Sequence, residues 1–291
     1  MSATAETMVR PATTADRTAL ARVVRDYELR VFGSAPEPAE AAATVSDSDG
    51  IQLVEIDGAP AALLRAVSDV QVVQVDLLAG PDATAATTEL LRWAVTAFDN
   101  TRIRVPANDE QLIAALDATD GWHRHHVALD VFRDTSLALP RIRVDDNVRV
   151  ASLSADPDLD ALHQLIYHDA DWEASGAGYH EDRIGWRVNL VGHELRGALA
   201  TDVTTGTPVG AVVGWAEGPG MVWMHRVAVA TDQQGRGIAG GLLHQTLTDC
   251  RADGFAWLGV ATHLDNTGAL ALYNKWNFDV QQQYLIYRTS A

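Results

Sequence analysis

The apolar positions along the chain change period many times, and the order of those changes occurs twice. In the second half, Asn147 to Ala151 alternates as a short strand, and Asp156 to His168 carries Leu159, Leu162, Leu165 and Ile166 at helical spacing. Two alternating runs, from Leu195 to Thr201 and from Val209 to Ala216, flank Asp202 to Pro208, whose Asp, Thr, Gly and Pro are turn formers. A strand from Val222 to Val229 follows Gly218-Pro219-Gly220, and so short a link predicts antiparallel pairing with the strand before it. Ile238, Leu242, Leu243, Leu247 and Cys250 then share one side of a helix predicted from about Gly237 to Asp253, with Gly254 as its stop. A strand from Ala256 to Thr262, a helix capped by Asp265 or Asn266 and running through Trp276, and a strand from about Val280 to Arg288 complete the half.

The first half follows the same outline less clearly. Val9-Arg10-Pro11-Ala12 parallels Val148-Arg149-Val150-Ala151, and Ala15 to Tyr27 has helical spacing. A hairpin turns on Asp57-Gly58, and a strand from Val70 to Leu78 precedes a helix from Asp82 to Phe98. A strand from Thr101 to Val105, a helix from Asp109 to Ala118 and a strand from Val127 to Phe132 follow. The repeat is half the chain, so it predicts two related domains rather than a solenoid. Periodicity breaks across Asp134 to Asp146, which predicts a first domain over 1–135, a linker over 136–146 and a second domain over 147–291.

Composition narrows the class. With 291 residues, 47% hydrophobic and 21% charged, the chain is long enough for two medium domains and too apolar to be disordered. The net charge of −17 argues against nucleic acid or an anionic membrane as partner and favours a cationic one. One cysteine, Cys250, excludes an internal disulfide and a multi-thiolate zinc site, and fits a reducing cytoplasm; on the apolar side of its helix it reads as structural. No apolar run approaches the roughly 20 residues that span a bilayer, and Met1 to Arg10 has no signal-peptide core. His123, His125 and His126 suggest a metal by count, but neighbours in a strand face opposite ways, and no metal is expected.

The candidate chemistry lies where the strand ending at Val229 runs into Ala230-Thr231-Asp232-Gln233-Gln234-Gly235-Arg236-Gly237-Ile238-Ala239-Gly240. Glycines at the start of a helix let the chain approach an anion and expose successive amides where the helix dipole favours negative charge. By itself the turn reads equally as a tightly packed helix start.

Gln234 to Ala239, QGRGIA, resembles the Q/R-x-x-G-x-G/A signature of the GNAT superfamily of acyl-CoA-dependent N-acyltransferases. Asn266-Thr267-Gly268-Ala269-Leu270-Ala271-Leu272-Tyr273, followed by Trp276-Asn277-Phe278, is similar to the family's second motif, N-x-x-A-x-x-L-Y with Gly-Phe after it. Asn277 replaces the usual glycine, and asparagine is the next most tolerant residue of a left-handed cap. The resemblance covers about Val148 to Arg288 by motif, and the first half only by its order of elements. It implies an α/β (α+β) fold of two tandem GNAT-like domains, each a mixed, mostly antiparallel twisted sheet flanked by helices.

The resemblance implies that acetyl-CoA is the acyl donor. Its pyrophosphate would lie on the amides of Gln234, Gly235, Arg236, Gly237, Ile238, Ala239 and Gly240. Its pantetheine arm would bond Val227 and Val229 where their strand parts from the next, with Asn266 opening the helix of the second motif. The guanidinium of Arg236 either adds a phosphate contact or is solvated. Tyr273 matches the tyrosine that protonates the leaving sulfur.

Alternation puts Trp223, His225, Val227 and Val229 on one strand face, where His225 is a candidate base or a histidine with structural hydrogen bonds. Glu217 and His263 are weaker candidates. Asp171, Trp172 and Glu173, in a segment that borders the acceptor pocket of this family, together with Trp223, would bind the acceptor. The expected reaction is acetylation of a primary amine on a small molecule by a monomer or homodimer. A non-catalytic acyl-CoA sensor and acetylation of protein N-termini or lysines are the alternatives. The first half has Ala79-Gly80-Pro81-Asp82 where the amides should be and reads as a degenerate copy.

Overall fold

The computed structural model describes residues 9–45, 50–68, 73–81, 83–154, 157–166, 193–218 and 220–289. Contacts divide the chain into one unit of Met1–His126 with Tyr284–Ala291, and a second of Val127–Gln283. Among the described residues no helix is long and apolar enough to cross a membrane.

In the first unit, β1 (Val9–Pro11), α1 (Arg17–Phe32), α2 (Pro38–Thr44), β2 (Ile51–Ile56), β3 (Ala59–Ser68) and β4 (Val73–Ala79) follow in order. Then come α3 (Thr84–Ala97), β5 (Thr101–Pro106), α4 (Glu110–Asp117) and the start of β6 (Trp122–Asp134). β1 to β4 form an antiparallel run, and β4 pairs parallel with β5. Leu20, Val23 and Val24 of α1 recur at helical spacing and bury against Leu53 and Leu63 of the sheet. Helix α2 escapes a reading by period because Ala41 is its only buried residue.

The second unit contains the remainder of β6, then β7 (Val148–Ser152), α5 (Leu159–Gln164), β8 (Leu195–Asp202), β9 (Pro208–Ala216) and β10 (Met221–Val229). After them come α6 (Ile238–Ala252), β11 (Trp257–His263), α7 (Thr267–Lys275) and the start of β12 (Asp279–Thr289). β7 to β10 are antiparallel neighbours and β10 pairs parallel with β11. One face of this sheet packs Val212, Val222 and Met224 against Ile238, Leu242, Leu243, Leu247 and Cys250 of α6. Each such aliphatic side chain contributes roughly 1.5–3 kcal/mol on burial. Cys250 is 2% exposed, and burial pushes its thiol up to about 12, so it acts as a core residue. The other face packs Ala211, Val213 and Ala228 against Leu162, Leu165 and Ile166.

The division by contacts is not the division at 1–135, 136–146 and 147–291 read from periodicity. Val127 to Asp134 of β6 belongs to the second unit, where Ala128–Asp134 pairs antiparallel with β11. Tyr284 to Arg288 of β12 belongs to the first unit and pairs antiparallel with β5. Each half thus gives its last strand to the other unit's sheet. Alternation says which residues of a strand face a core, but not whose core, and both closing strands have the same pattern. The linker 136–146 lies wholly within the second unit.

Candidate active site

Two irregularities in β10 create the site. Its parallel pairing with β11 runs only from Met221 to Met224, against Trp257 to Val260, although β10 continues to Val229 and β11 to His263. On its other edge β10 stays paired with β9 through Val229 and Gly210. Beyond Met224 the side of β10 facing β11 therefore has no ladder partner, which leaves room for an extended ligand arm to bond as a strand would.

The second irregularity is a bulge. The β9–β10 register shifts between Met224 and Arg226, and His225 is the extra residue. Strict alternation would put Trp223, His225, Val227 and Val229 on one face, and the bulge overturns that expectation. Val222 and Met224 face the α6 core before it, whereas Val227 and Val229 do so after it. Trp223 faces the opposite side. Its ring lies over Gly259, where a Cβ would come within 2.6 Å of it, and 5.5 Å from that of Phe132.

The imidazole of His225 stacks on Trp215, with ring centroids 3.3 Å apart and planes at 14°, and His193 stacks on Trp215 at 4.6 Å and 17°. Its Nε2 lies 3.0 Å from Oε1 of Glu217, at an angle outside that of a hydrogen bond, so this nitrogen is buried without a hydrogen-bond partner. Burial, and then the neighbouring His193, hold its pKa down at about 4. The ring is therefore neutral at pH 7. Burial also raises Glu217, reinforced by Asp130 and opposed by His193. His263 ends β11 and is buried at 4% exposure. Trp215 and His193 carry no sequence signal of this role, because the stack joins residues brought together only by pairing.

At the end of β10 the chain makes a turn at Thr231–Gln233 and then enters α6 through Gly235 at φ +77° and Gly237 at φ +81°. The amides of residues 235–240 have no backbone hydrogen bond among the described residues, while that of Gln234 closes onto Thr231 O at 3.5 Å. Consecutive unbonded amides at the N-terminus of a 15-residue helix form an anion nest. Ile238 itself is buried, so its side chain anchors the helix start in the core. The guanidinium of Arg236 is turned to Asp145, with Nε 3.2 Å from Oδ2 and Nη2 3.0 Å from Oδ1, and also bonds Gln233.

Asn266 caps α7 by accepting from Ala269 N at 3.1 Å. Tyr273, 4% exposed, tilts against Phe278 at 5.3 Å. Asn277 takes φ +55° and Phe278 N bonds Tyr273 O at 3.0 Å, so asparagine makes the left-handed turn as expected. Asp171, Trp172 and Glu173 lie outside the described residues. Among the described residues no cluster of His, Cys, Asp and Glu has a metal-binding arrangement.

The corresponding place in the first unit is filled. There β4 and β5 also part early, after Val75 and Ile103. Arg30 of α1 donates to Asp109 Oδ1 at 2.7 Å and to Ala79 O at 3.4 Å, and Asn108 donates to Val31 O. Asp109, not Asn108, caps α4, accepting from Leu112 N.

With a parted strand pair, a bulge beside it and an amide nest at its end in place, residues 159–278 match the family model for "Acetyltransferase (GNAT) family". The matched residues lie within the second unit. Its fold is similar over 97% of its length to a crystal structure of a GCN5-related N-acetyltransferase from Sphaerobacter thermophilus, at 18% identity, a TM-score of 0.72 and 95% coverage of that chain. It is also similar to a tandem GNAT protein from the clavulanic acid biosynthesis pathway, at 15% identity, a TM-score of 0.63 and 98% coverage of both chains. A fungal glucosamine N-acetyltransferase region matches 98% of this chain and 38% of its own, at 14% identity and a TM-score of 0.70. The architecture is thus tandem GNAT-like, with mostly antiparallel sheets flanked by helices. No curated protein matches the sequence.

Proposed function

We propose that the protein transfers an acetyl group from acetyl-CoA to the primary amine of a small molecule in the cytoplasm, as a monomer or homodimer. The observation that carries this reading is the β10 edge left open beyond Met224 and ending in the unbonded amides of residues 235–240. Such a nest suits a pyrophosphate and such an edge suits the amide groups of pantetheine, so the residues present fit the coenzyme. When bound, acetyl-CoA supplies a thioester, an acyl group activated toward nitrogen.

Backbone amides from Gly235 to Gly240 hold the phosphates, and the backbone at Val227 and Val229 takes the pantetheine arm, with Asn266 fixing the start of α7. The imidazole of His225, neutral at pH 7, takes the proton of the amine nitrogen, directly or through water, as that nitrogen bonds to the acyl carbon and becomes strongly acidic, and Glu217 beside it stabilises the imidazolium that forms. The Tyr273 hydroxyl donates its proton to the leaving sulfur. Trp223 contacts the acceptor; the family resemblance gives the same part to Asp171, Trp172 and Glu173, which lie outside the described residues, and a chain with net charge −17 favours a cationic amine. As a unit of sequence, 1–135 is a copy that has lost the coenzyme motif, joined through 136–146 to the transferase sequence of 147–291. The Arg30–Asp109 pair supports that reading, because Arg30 bridges Ala79 at the end of β4 and Asp109 after β5, beyond the point where those strands part.

The test is thiol release from acetyl-CoA, followed with DTNB across aminoglycosides, polyamines, amino acids and peptides. Turnover with a small amine supports the reading. Tight coenzyme binding without turnover of any amine would replace it with a sensor, and turnover of peptides alone with protein N-terminal or lysine acetylation.

A further inference from the structure

Residues 136–146, read from sequence as a linker, lie inside the second unit and pack on its phosphate-side helix start. Residues 142–145 run along the start of α6, with Ile142 Cγ2 3.8 Å from the position of a Gly240 Cβ and Val144 Cγ2 2.7 Å from that of a Gly241 Cβ. Between them, the carbonyl oxygen of Arg143 sits 2.0 Å from where a Gly237 Cβ would stand. Only glycine admits the chain this close, quite apart from its left-handed φ. Asp145 then grips residue 236 twice. Its amide donates to Arg236 O at 3.2 Å, and its carboxylate takes the guanidinium at 3.0 and 3.2 Å. The far end of the segment is fixed as well, because Asn147 N bonds Asp145 Oδ1 at 2.9 Å and Val148 N bonds Asp145 O at 2.9 Å where β7 begins.

This contact has a directional consequence. In a trans peptide the carbonyl and the following N–H point to opposite sides. Holding Arg236 O on the linker therefore aims the Gly237 N–H away from it, out of the turn. The side chain of Arg236, which sequence alone leaves between phosphate contact and solvent, is occupied in making the hold.

We propose that Asp145 is a positioning residue for the phosphate site: the linker is a strap that orients the amide nest at residues 235–240 toward the coenzyme pyrophosphate. The inference rests on the reading of that nest as the coenzyme site. Arg236 acts through Asp145 rather than on the phosphate.

Calorimetric titration of CoA into the full chain tests it. Wild-type protein binds CoA, and Asp145→Ala weakens that binding about ten-fold, the order expected for loss of a charge-assisted hydrogen bond. Asp145→Asn, which keeps an acceptor without the charge and preserves the fold, gives an intermediate Kd. A general loss of structure would reduce turnover of every donor alike. A loss confined to phosphate positioning instead lowers the preference for acetyl-CoA over S-acetylpantetheine, which has no pyrophosphate. The inference is overturned if Asp145→Ala binds CoA as tightly as wild type or more tightly, as it would if Asp145 merely competed with phosphate for Arg236. Failure of the wild-type protein to bind CoA would instead overturn the underlying reading of the site.

Discussion

The state of His225 can be tested apart from turnover. Its imidazole, 22% exposed, is pressed against Trp215 and lies near His193, and its pKa falls from the ordinary 6.5 to about 4. At 1.36 kcal/mol for each ten-fold, that difference corresponds to roughly 3 kcal/mol of resistance to protonation in the folded protein. A depressed pKa contributes stability that is full above the unfolded value and is lost as pH falls through the folded one. The wild-type protein should therefore lose up to about 3 kcal/mol between pH 6.5 and pH 4 through this residue. Glu217, whose pKa is raised by burial, acts in the opposite sense and offsets part of the loss. Urea unfolding of the second unit at a series of pH values, for wild type and His225→Gln, isolates the effect, since the variant should lack that slope. The rate should show the same depression, with no limb near pH 6.5 that depends on His225. A limb at pH 6–7 that disappears in His225→Gln would refute the argument, because the imidazole would then titrate as a solvated one.

Tyr273→Phe should lower kcat by about 100-fold, at the low end for loss of a general acid, while the Kd for CoA measured by calorimetry changes little. Deleting Tyr284–Ala291 removes the buried Leu285, Ile286 and Tyr287, the bond from Tyr287 Oη to Asp117 at 2.7 Å and the pairing with β5. At roughly 1.5–3 kcal/mol per buried side chain the loss rivals the whole stability of a domain, so hydrogen exchange should show β5 and α4 unprotected. Arg30→Met leaves the fully buried Asp109 without its counter-charge and should cost the first unit about 3 kcal/mol, read as a lowered thermal midpoint of that unit. It should confer no binding of CoA there, since Ala79-Gly80-Pro81-Asp82 lacks the paired glycines of residues 235 and 237 and its proline has no amide N–H.

What sequence reveals here is what consecutive residues encode. The glycines at 235 and 237, the cap at Asn266 and the turn at Asn277 each depend on local backbone conformation, so residue type alone indicates them. The bulge at His225 leaves no such mark, since one extra residue in an apolar strand looks like continued alternation until the partner's register is known. The Asp145–Arg236 pair joins positions 91 apart, and the Trp215–His225 stack joins neighbouring strands; neither has a period. The helix over Pro38–Thr44 buries a single alanine and so has too little amphipathicity to be read.

The exchange of closing strands bears on how the molecule is made. The first unit's sheet needs Tyr284–Arg288, which leave the ribosome after the whole of the second unit. Its other strands must wait with the β5 edge unpaired for roughly ten to thirty seconds at ordinary rates of synthesis. The second unit, Val127–Gln283, is continuous and can close first, so the unit that is made first is the one finished last. Cutting the chain in the 136–146 segment instead would take Val127–Asp134 from the second unit's sheet and Tyr284–Arg288 from the first, leaving two incomplete sheets rather than two domains.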